Sequence, residues 1–257
     1  MDTLPFINLL GVKVTQADEN RILEYLSEII ERNDEKVFIT TPNPEIIVHA
    51  VKHPAFKNIL NSAQVALPDG VGVAFAAQFL HKRSINRTAG VDFMLKLSSL
   101  LNSKNEELIS GQKANGKNAK SLYSIGLFGG QPGVAERTSK CLQKKYSRLV
   151  ISYASDTWNE IEVGSKSMDI LFVALGHPKQ EKWIYENIDK IPAKIIMGVG
   201  GSFDYISGDV KRAPKFLRTV GLEWLFRLGV QPWRWRRQLA LIEFIFFVLR
   251  EKFQPET

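Results

Sequence analysis

Four short stretches of this 257-residue chain bring together side chains that could do chemistry. Pro68-Asp69-Gly70 sets one carboxylate beside a glycine, the reach a general base needs, although Asp-Gly is equally an ordinary turn signal. Thr40-Thr41-Pro42-Asn43 offers hydroxyl and amide groups just before Pro44, a residue suited to the first position of a helix. Backbone donors at such a helix start favour an anion, and Asn43 serves equally as a plain N-cap. Leu175 to Glu181 ends an apolar run in Gly176 and then gathers His177, Lys179, Gln180 and Glu181 around Pro178. There Glu181 can offset a helix dipole, and His177 can be no more than a capping or surface residue. The fourth stretch, Gly126-Leu127-Phe128-Gly129-Gly130-Gln131-Pro132-Gly133, would let a phosphate or ribose approach a helix start. Its spacing is not the dinucleotide G-x-G-x-x-G, and no acidic strand end follows about twenty residues later, which argues against an NAD enzyme.

Each stretch follows a run that reads as a buried strand. Strands are predicted at Lys36–Thr40, Ala63–Leu67, Leu122–Phe128, Leu149–Tyr153, Asp169–Leu175 and Ala193–Val199. Helices are predicted over Asp18–Arg32, Glu45–Lys52, Val71–Leu80, Gly90–Leu101, Val134–Tyr146 and Lys179–Ile188, after an irregular start. Such alternation implies right-handed crossovers and a parallel sheet covered on both faces, so the loaded loops lie at carboxyl strand ends, where open sheets bind ligands. Residues 102–121, rich in Lys, Asn and Gly and without periodicity, are expected to form a flexible surface insertion.

Beyond Gly208 no strand pattern remains. Residues 1–210 are expected to form the α/β domain, and residues 211–257 a helical appendage in which aromatic residues interleave with arginines. Arg227, Arg234 and Arg237 fall near helical spacing and form either one cationic face or a solvated basic surface. From Lys211 to Lys252 ten Lys and Arg stand against Glu223, Glu243 and Glu251, a surplus equal to the whole net charge of +7. A basic segment on a neutral domain suggests a polyanionic partner: lipid head groups, a diphosphate or nucleic acid. The lone Cys141 excludes an internal disulfide and a thiolate metal site, and suits a reducing cytoplasm. The first residues carry no secretory pattern, and the longest apolar run, Leu239 to Leu249, falls short of the ~20 residues a spanning helix requires.

Eight motifs in order resemble the WecG/TagA/CpsF family of glycosyltransferases across nearly the whole chain. They are Thr41 to Asn43, Pro68 to Gly70, Arg87 to Asp92, Gly126 to Gly133, Gly176 to Glu181, Gly198 to Asp204, Arg212 to Pro214, and Gly221 to Trp224. The resemblance implies a Rossmann-like α/β fold with an arginine-rich C-terminal appendage. It also implies transfer, with inversion, of an N-acetylmannosamine-type sugar from a UDP-sugar to undecaprenyl-diphosphate-linked GlcNAc, in teichoic acid or exopolysaccharide synthesis.

By that resemblance Asp69 takes the proton of the acceptor hydroxyl, with Arg87 and Gln180 as its catalytic partners. Substrate-binding positions are Thr41, Asn43, Gly129, Gly130, Gly176, Lys179, Glu181, Gly200 and Asp204, and Arg227, Arg234 and Arg237 meet the diphosphates. No D-x-D carboxylate pair is present, so no metal and no cofactor is expected, and the UDP-sugar is the donor substrate. The implied place is cytoplasmic, peripheral on the inner face of the plasma membrane, with an anionic membrane surface as partner and no nucleic acid; homo-oligomerisation stays open. Two departures bear on the choice of sugar: the long stretch 102–121, and a shortened segment 154–167 without the family's Gly-Tyr-Phe. A family transferase using UDP-glucose or a UDP-uronic acid is one alternative. A nucleic-acid binder exploiting the basic, aromatic tail is the alternative from another class.

Overall fold

The computed structural model describes residues 3–32, 35–115, 121–164, 167–232 and 235–254. Apolar runs become strands whose side chains are shielded on both faces: β3 (Val37–Thr40), β5 (Ser124–Gly129), β7 (Met168–Ala174) and β8 (Ala193–Gly198). With β4 (Val65–Ala66) and the more open β6 (Val150–Ser155) they form a six-stranded sheet of order β4-β3-β8-β7-β5-β6. The pairs β3/β8, β8/β7, β7/β5 and β5/β6 are parallel, and Phe172 of β7 sits opposite Leu127 on one side and Met197 on the other. Continuous apolar strands of this kind are what a sheet flanked by helices needs, and the expected α/β class is what the chain adopts.

The chain divides into two compact units, and β3 runs from one into the other. Unit 1 comprises Met1–Ile22, Thr40–Ala89 and Val210–Thr257; unit 2 comprises Leu23–Ile39 and Gly90–Asp209. The C-terminal segment expected as an appendage groups with unit 1.

In unit 1 the start of the chain is a hairpin, not an irregular segment: β1 (Phe6–Leu9) pairs antiparallel with β2 (Val12–Thr15). Helices α2 (Pro44–Lys52), α3 (Pro54–Asn61) and α4 (Val71–His81) supply Ile46, Ile47, Phe56, Leu60, Val73 and Ala77 to one buried cluster. Among the described residues the tail forms three helices, α10 (Lys215–Thr219), α11 (Glu223–Val230) and α12 (Trp235–Phe253). The last packs on α2 and α4 and adds Phe244 and Val248 to that cluster. Its opposite face leaves Leu239, Ile242, Phe246, Leu249 and Phe253 exposed, three or four residues apart, as one outward apolar stripe. No helix among the described residues is long and apolar enough to cross a membrane.

Unit 2 carries β5 to β8 and most of β3, with α6 (Val134–Lys145), α7 (Glu160–Gly164), α8 (Lys179–Asn187) and α9 (Ser202–Ser207); α1 (Glu19–Glu31) ends in it. The expectation of a loop is corrected over 102–115, where α5 runs from Gly90 to Asn115, 26 residues; residues 116–120 of that stretch lie outside the described residues. The polar second half of the helix is anchored by the fully buried Asn105, whose amide donates to the carbonyls of Tyr123 (2.9 Å) and Arg148 (2.8 Å). The same side chain accepts from Tyr123 N–H at 2.8 Å, so a polar residue does the work that periodic apolar residues do elsewhere.

Candidate active site

In unit 2, β5 leads through α6 to β6 on one side of the sheet, whereas β7 leads through α8 to β8 on the other. The carboxyl ends of β5 and β7 are therefore a topological switch point, the place where open α/β sheets leave a crevice for ligands. Gly129 and Gly130 end β5 there, and Gly130 N–H donates to Ala174 O at 3.0 Å, tying this turn to the end of β7. Gly176, the cis-linked His177–Pro178 pair and the first turn of α8 follow β7.

Lys179 is exposed, but Gln180 and Glu181 are buried, at 2% and 1% exposure. Gln180 Nε2 donates to Glu181 Oε1 at 2.8 Å, while Gln180 Oε1 accepts the Gly200 N–H at 2.9 Å. One amide thus joins the loop after β7 to the loop after β8. The room for it comes from Gly198, where a Cβ would lie 2.9 Å from Gln180 Nε2. The other Glu181 oxygen, Oε2, lies 3.4 Å from His177 Nδ1. Asp204 is half-buried in α9.

An aromatic group not anticipated from the sequence stands at the same edge. Phe128 meets Trp183 and Trp158 with ring centroids 4.7 and 5.2 Å apart, and the two tryptophans are 4.9 Å apart. The buried Tyr153 hydroxyl donates to Thr157 O and accepts from Asn159 N–H, which pins the loop that carries Trp158. The only signal in the sequence was a tryptophan within the shortened segment 154–167.

Unit 1 holds the carboxylate. Leu67 N–H donates to Thr40 O at 2.8 Å, Asp69 N–H to Pro42 O at 2.9 Å, and Thr88 N–H to Pro68 O at 2.9 Å. Asp69 is half-buried in a loop whose main chain is fastened on both sides. Gly70 follows at φ 93°, a conformation a side chain resists, and starts α4. Asn43 Oδ1 accepts from Ile46 N–H at 3.0 Å, so its side-chain oxygen caps α2, and Thr41 is buried beside it in sequence.

The tail closes on these loops through residues of three motifs. Arg87 Nη2 donates to Arg218 O at 2.8 Å. Gly221, at φ 79°, lies so close to Val71 that a Cβ would stand 2.2 Å from Val71 Cγ1. Arg212 and Glu223 form an ion pair at 3.3 Å, joining the Arg-Ala-Pro and Gly-Leu-Glu-Trp motifs. Arg227 Nε lies 3.4 Å from Gln231 Oε1. Arg234 falls outside the described residues, as does the side chain of Arg237 in α12. The expected site residues are thus divided: Thr41, Asn43, Asp69, Arg87 and Arg227 in unit 1, and Gly129, Gly130, Gly176, Lys179, Gln180, Glu181, Gly200 and Asp204 in unit 2.

The family model described as "Glycosyl transferase WecG/TagA/CpsF family" matches residues 7–257. A relative in Bacillus subtilis (strain 168) named N-acetylglucosaminyldiphosphoundecaprenol N-acetyl-beta-D-mannosaminyltransferase is 32% identical over 87% of this chain and 84% of its own length. A protein of the same name in Bacillus spizizenii is 34% identical over 84% of this chain and 79% of its own. Another of that name in Staphylococcus aureus (strain MRSA252) is 26% identical over 96% of this chain and 93% of its own.

Proposed function

Because the chain belongs to the WecG/TagA/CpsF family of glycosyltransferases, we propose that it moves N-acetylmannosamine from a UDP-sugar to GlcNAc carried on undecaprenyl diphosphate. The names of the relatives supply the acceptor and the sugar. The observation that carries the reading is the setting of Asp69: a single carboxylate on a strand-end loop whose main chain is fastened to Pro42 and Thr88. A base fixed in that way can take the proton of the GlcNAc hydroxyl as that oxygen attacks the sugar carbon, and the sugar–phosphate bond breaks with inversion. Main-chain groups of the glycine turns after β5 and β8 would meet the charge that develops on UDP.

The acceptor's lipid also gives a role to the outward stripe of α12. With the surplus of basic residues in the tail's sequence, this face would lie on an anionic membrane surface, apolar side chains at the interface and cations near the head groups. Phe75 on α4 and Phe216 on α10 are further exposed aromatic side chains of unit 1. The enzyme would then be peripheral on the inner face of the plasma membrane.

The test supplies the full chain with GlcNAc-diphosphoundecaprenol in vesicles containing anionic lipid and follows label from UDP-N-acetylmannosamine. Transfer to the lipid, with binding to the vesicles that falls as salt rises, is the expected result. Transfer from UDP-glucose or a UDP-uronic acid in its place would change the sugar and keep the reaction. No transfer from any UDP-sugar would overturn the proposal.

A further inference from the structure

We propose that the outward face of α4 is the track along which the acceptor's polyprenyl chain leaves the Asp69 loop for the membrane; the proposal deepens the functional reading above and rests on it. An acceptor whose sugar hydroxyl meets Asp69 brings a long apolar chain with it. Such a chain gains from an apolar surface and loses in water.

The helix begins next to the loop, with Val71 two residues beyond Asp69. Its inward face gives Val73, Ala76 and Ala77 to the core of unit 1, so the opposite face would ordinarily be polar. Instead Val71, Phe75 and Phe79 follow at four-residue spacing, which sets them along one side of the helix. The rings of Phe75 and Phe79 are stacked with centroids 5.9 Å apart, although Phe75 is 68% exposed. Single exposed apolar residues are ordinary on a protein surface, whereas a row of them marks a binding surface.

Both ends of the row meet other parts of unit 1. At the start, Gly221 abuts Val71, and the residue before that glycine, Val220, is exposed. Val220 N–H donates to the carbonyl of the equally exposed Phe216 at 3.2 Å, so α10 brings two further apolar side chains to the end of α4 nearest Asp69. At the far end, Lys252 Nζ stands 5.5 Å from the centre of the Phe79 ring. Lys252 lies in the last turn of α12, between Leu249 and Phe253 of the outward stripe. The row on α4 therefore ends where the proposed membrane face begins. From Val71 to Phe79 the helix rises about 12 Å, enough to guide the first isoprene units of a chain and far too little to enclose it.

The test measures transfer from UDP-N-acetylmannosamine by the full chain, in non-ionic detergent, to two acceptors. One is GlcNAc-diphosphoundecaprenol, and the other is GlcNAc-diphosphate closed by a methyl group in place of the lipid. In wild type, kcat/KM should favour the undecaprenyl acceptor. Phe75→Ser should lower the ratio of the two kcat/KM values by about 10-fold, the worth of one covered phenylalanine side chain. Phe75→Leu keeps an apolar side chain and should recover most of that loss. Binding of Phe75→Ser to anionic vesicles should stay within twofold of wild type, while Phe246→Ser, on the α12 stripe, weakens it. A ratio within twofold of wild type in Phe75→Ser would overturn the inference and leave the functional reading standing. So would equal kcat/KM for the two acceptors in wild type. A loss of vesicle binding equal to that of Phe246→Ser would overturn it too, since Phe75 would then belong to the membrane face. A wild-type chain that transfers to neither acceptor would remove both.

Discussion

The two units fix their ligand-edge loops in different ways. In unit 2 the loops after β7 and β8 are joined by neighbouring side chains, with Gln180 and Glu181 adjacent in sequence and Gly200 only twenty positions on. In unit 1 the carboxylate loop is fastened by main-chain bonds to Pro42 and Thr88, and then covered by residues from the other end of the chain. Arg87 reaches the carbonyl of Arg218, 131 positions away, and Gly221 stands against Val71. A local clasp tolerates changes elsewhere. A site completed by a distant tail is only as stable as the tail's docking, and the same tail carries the proposed membrane face.

The comparison breaks most sharply at Phe244, which is 2% exposed and belongs to the core of unit 1. Phe244→Ala should cost roughly 3–5 kcal/mol, the usual penalty for emptying such a site. Native-state hydrogen exchange should show the loss in amides of α2, α4 and the Asp69 loop, with β5, β7 and β8 keeping their protection. Equal loss in the sheet would show that the two units unfold as one. The converse change is Gln180→Leu, which strips the Glu181 carboxylate and the Gly200 N–H of their partner. About 1–3 kcal/mol is expected, read as faster exchange at Gly200 and in α8 and little change in α4. The smallest effect belongs to Lys52 and Glu243, an ion pair between α2 and α12 whose side chains are 47% and 41% exposed. Lys52→Ala should shift stability by less than about 1 kcal/mol, so a large loss would mean that charge, rather than Phe244 and Val248, holds the tail.

Much of this was legible in the sequence. The parallel sheet was, because strands buried on both faces read as unbroken apolar runs, and so were the loops that follow them. Four features were not. The hairpin of β1 and β2 turns through Leu10 and Gly11, both at positive φ, and only the glycine announces that. It is held by Asn61, whose side chain bonds Gly11 O and Lys13 N–H from fifty positions away. The second half of α5 is tied down by Asn105 rather than by apolar periodicity, so its exposed polar residues hide a helix. At the site, Asp69 and the glycine turns stood out by residue type. The pairing of Arg212 with Glu223, and the meeting of Trp158 with Trp183, depend on the fold and cannot be read from local sequence.

The central claim is that Asp69 removes a proton during transfer rather than holding the loop or the nucleotide. It is tested by Asp69→Asn in the full chain, with single-turnover transfer to the lipid-linked acceptor measured beside UDP binding. The substitution keeps size and shape and removes the base. Transfer should fall by ~10²- to 10⁴-fold with UDP affinity within twofold of wild type. Transfer at a near-normal rate, or a loss matched by an equal loss of UDP binding, would contradict the assignment.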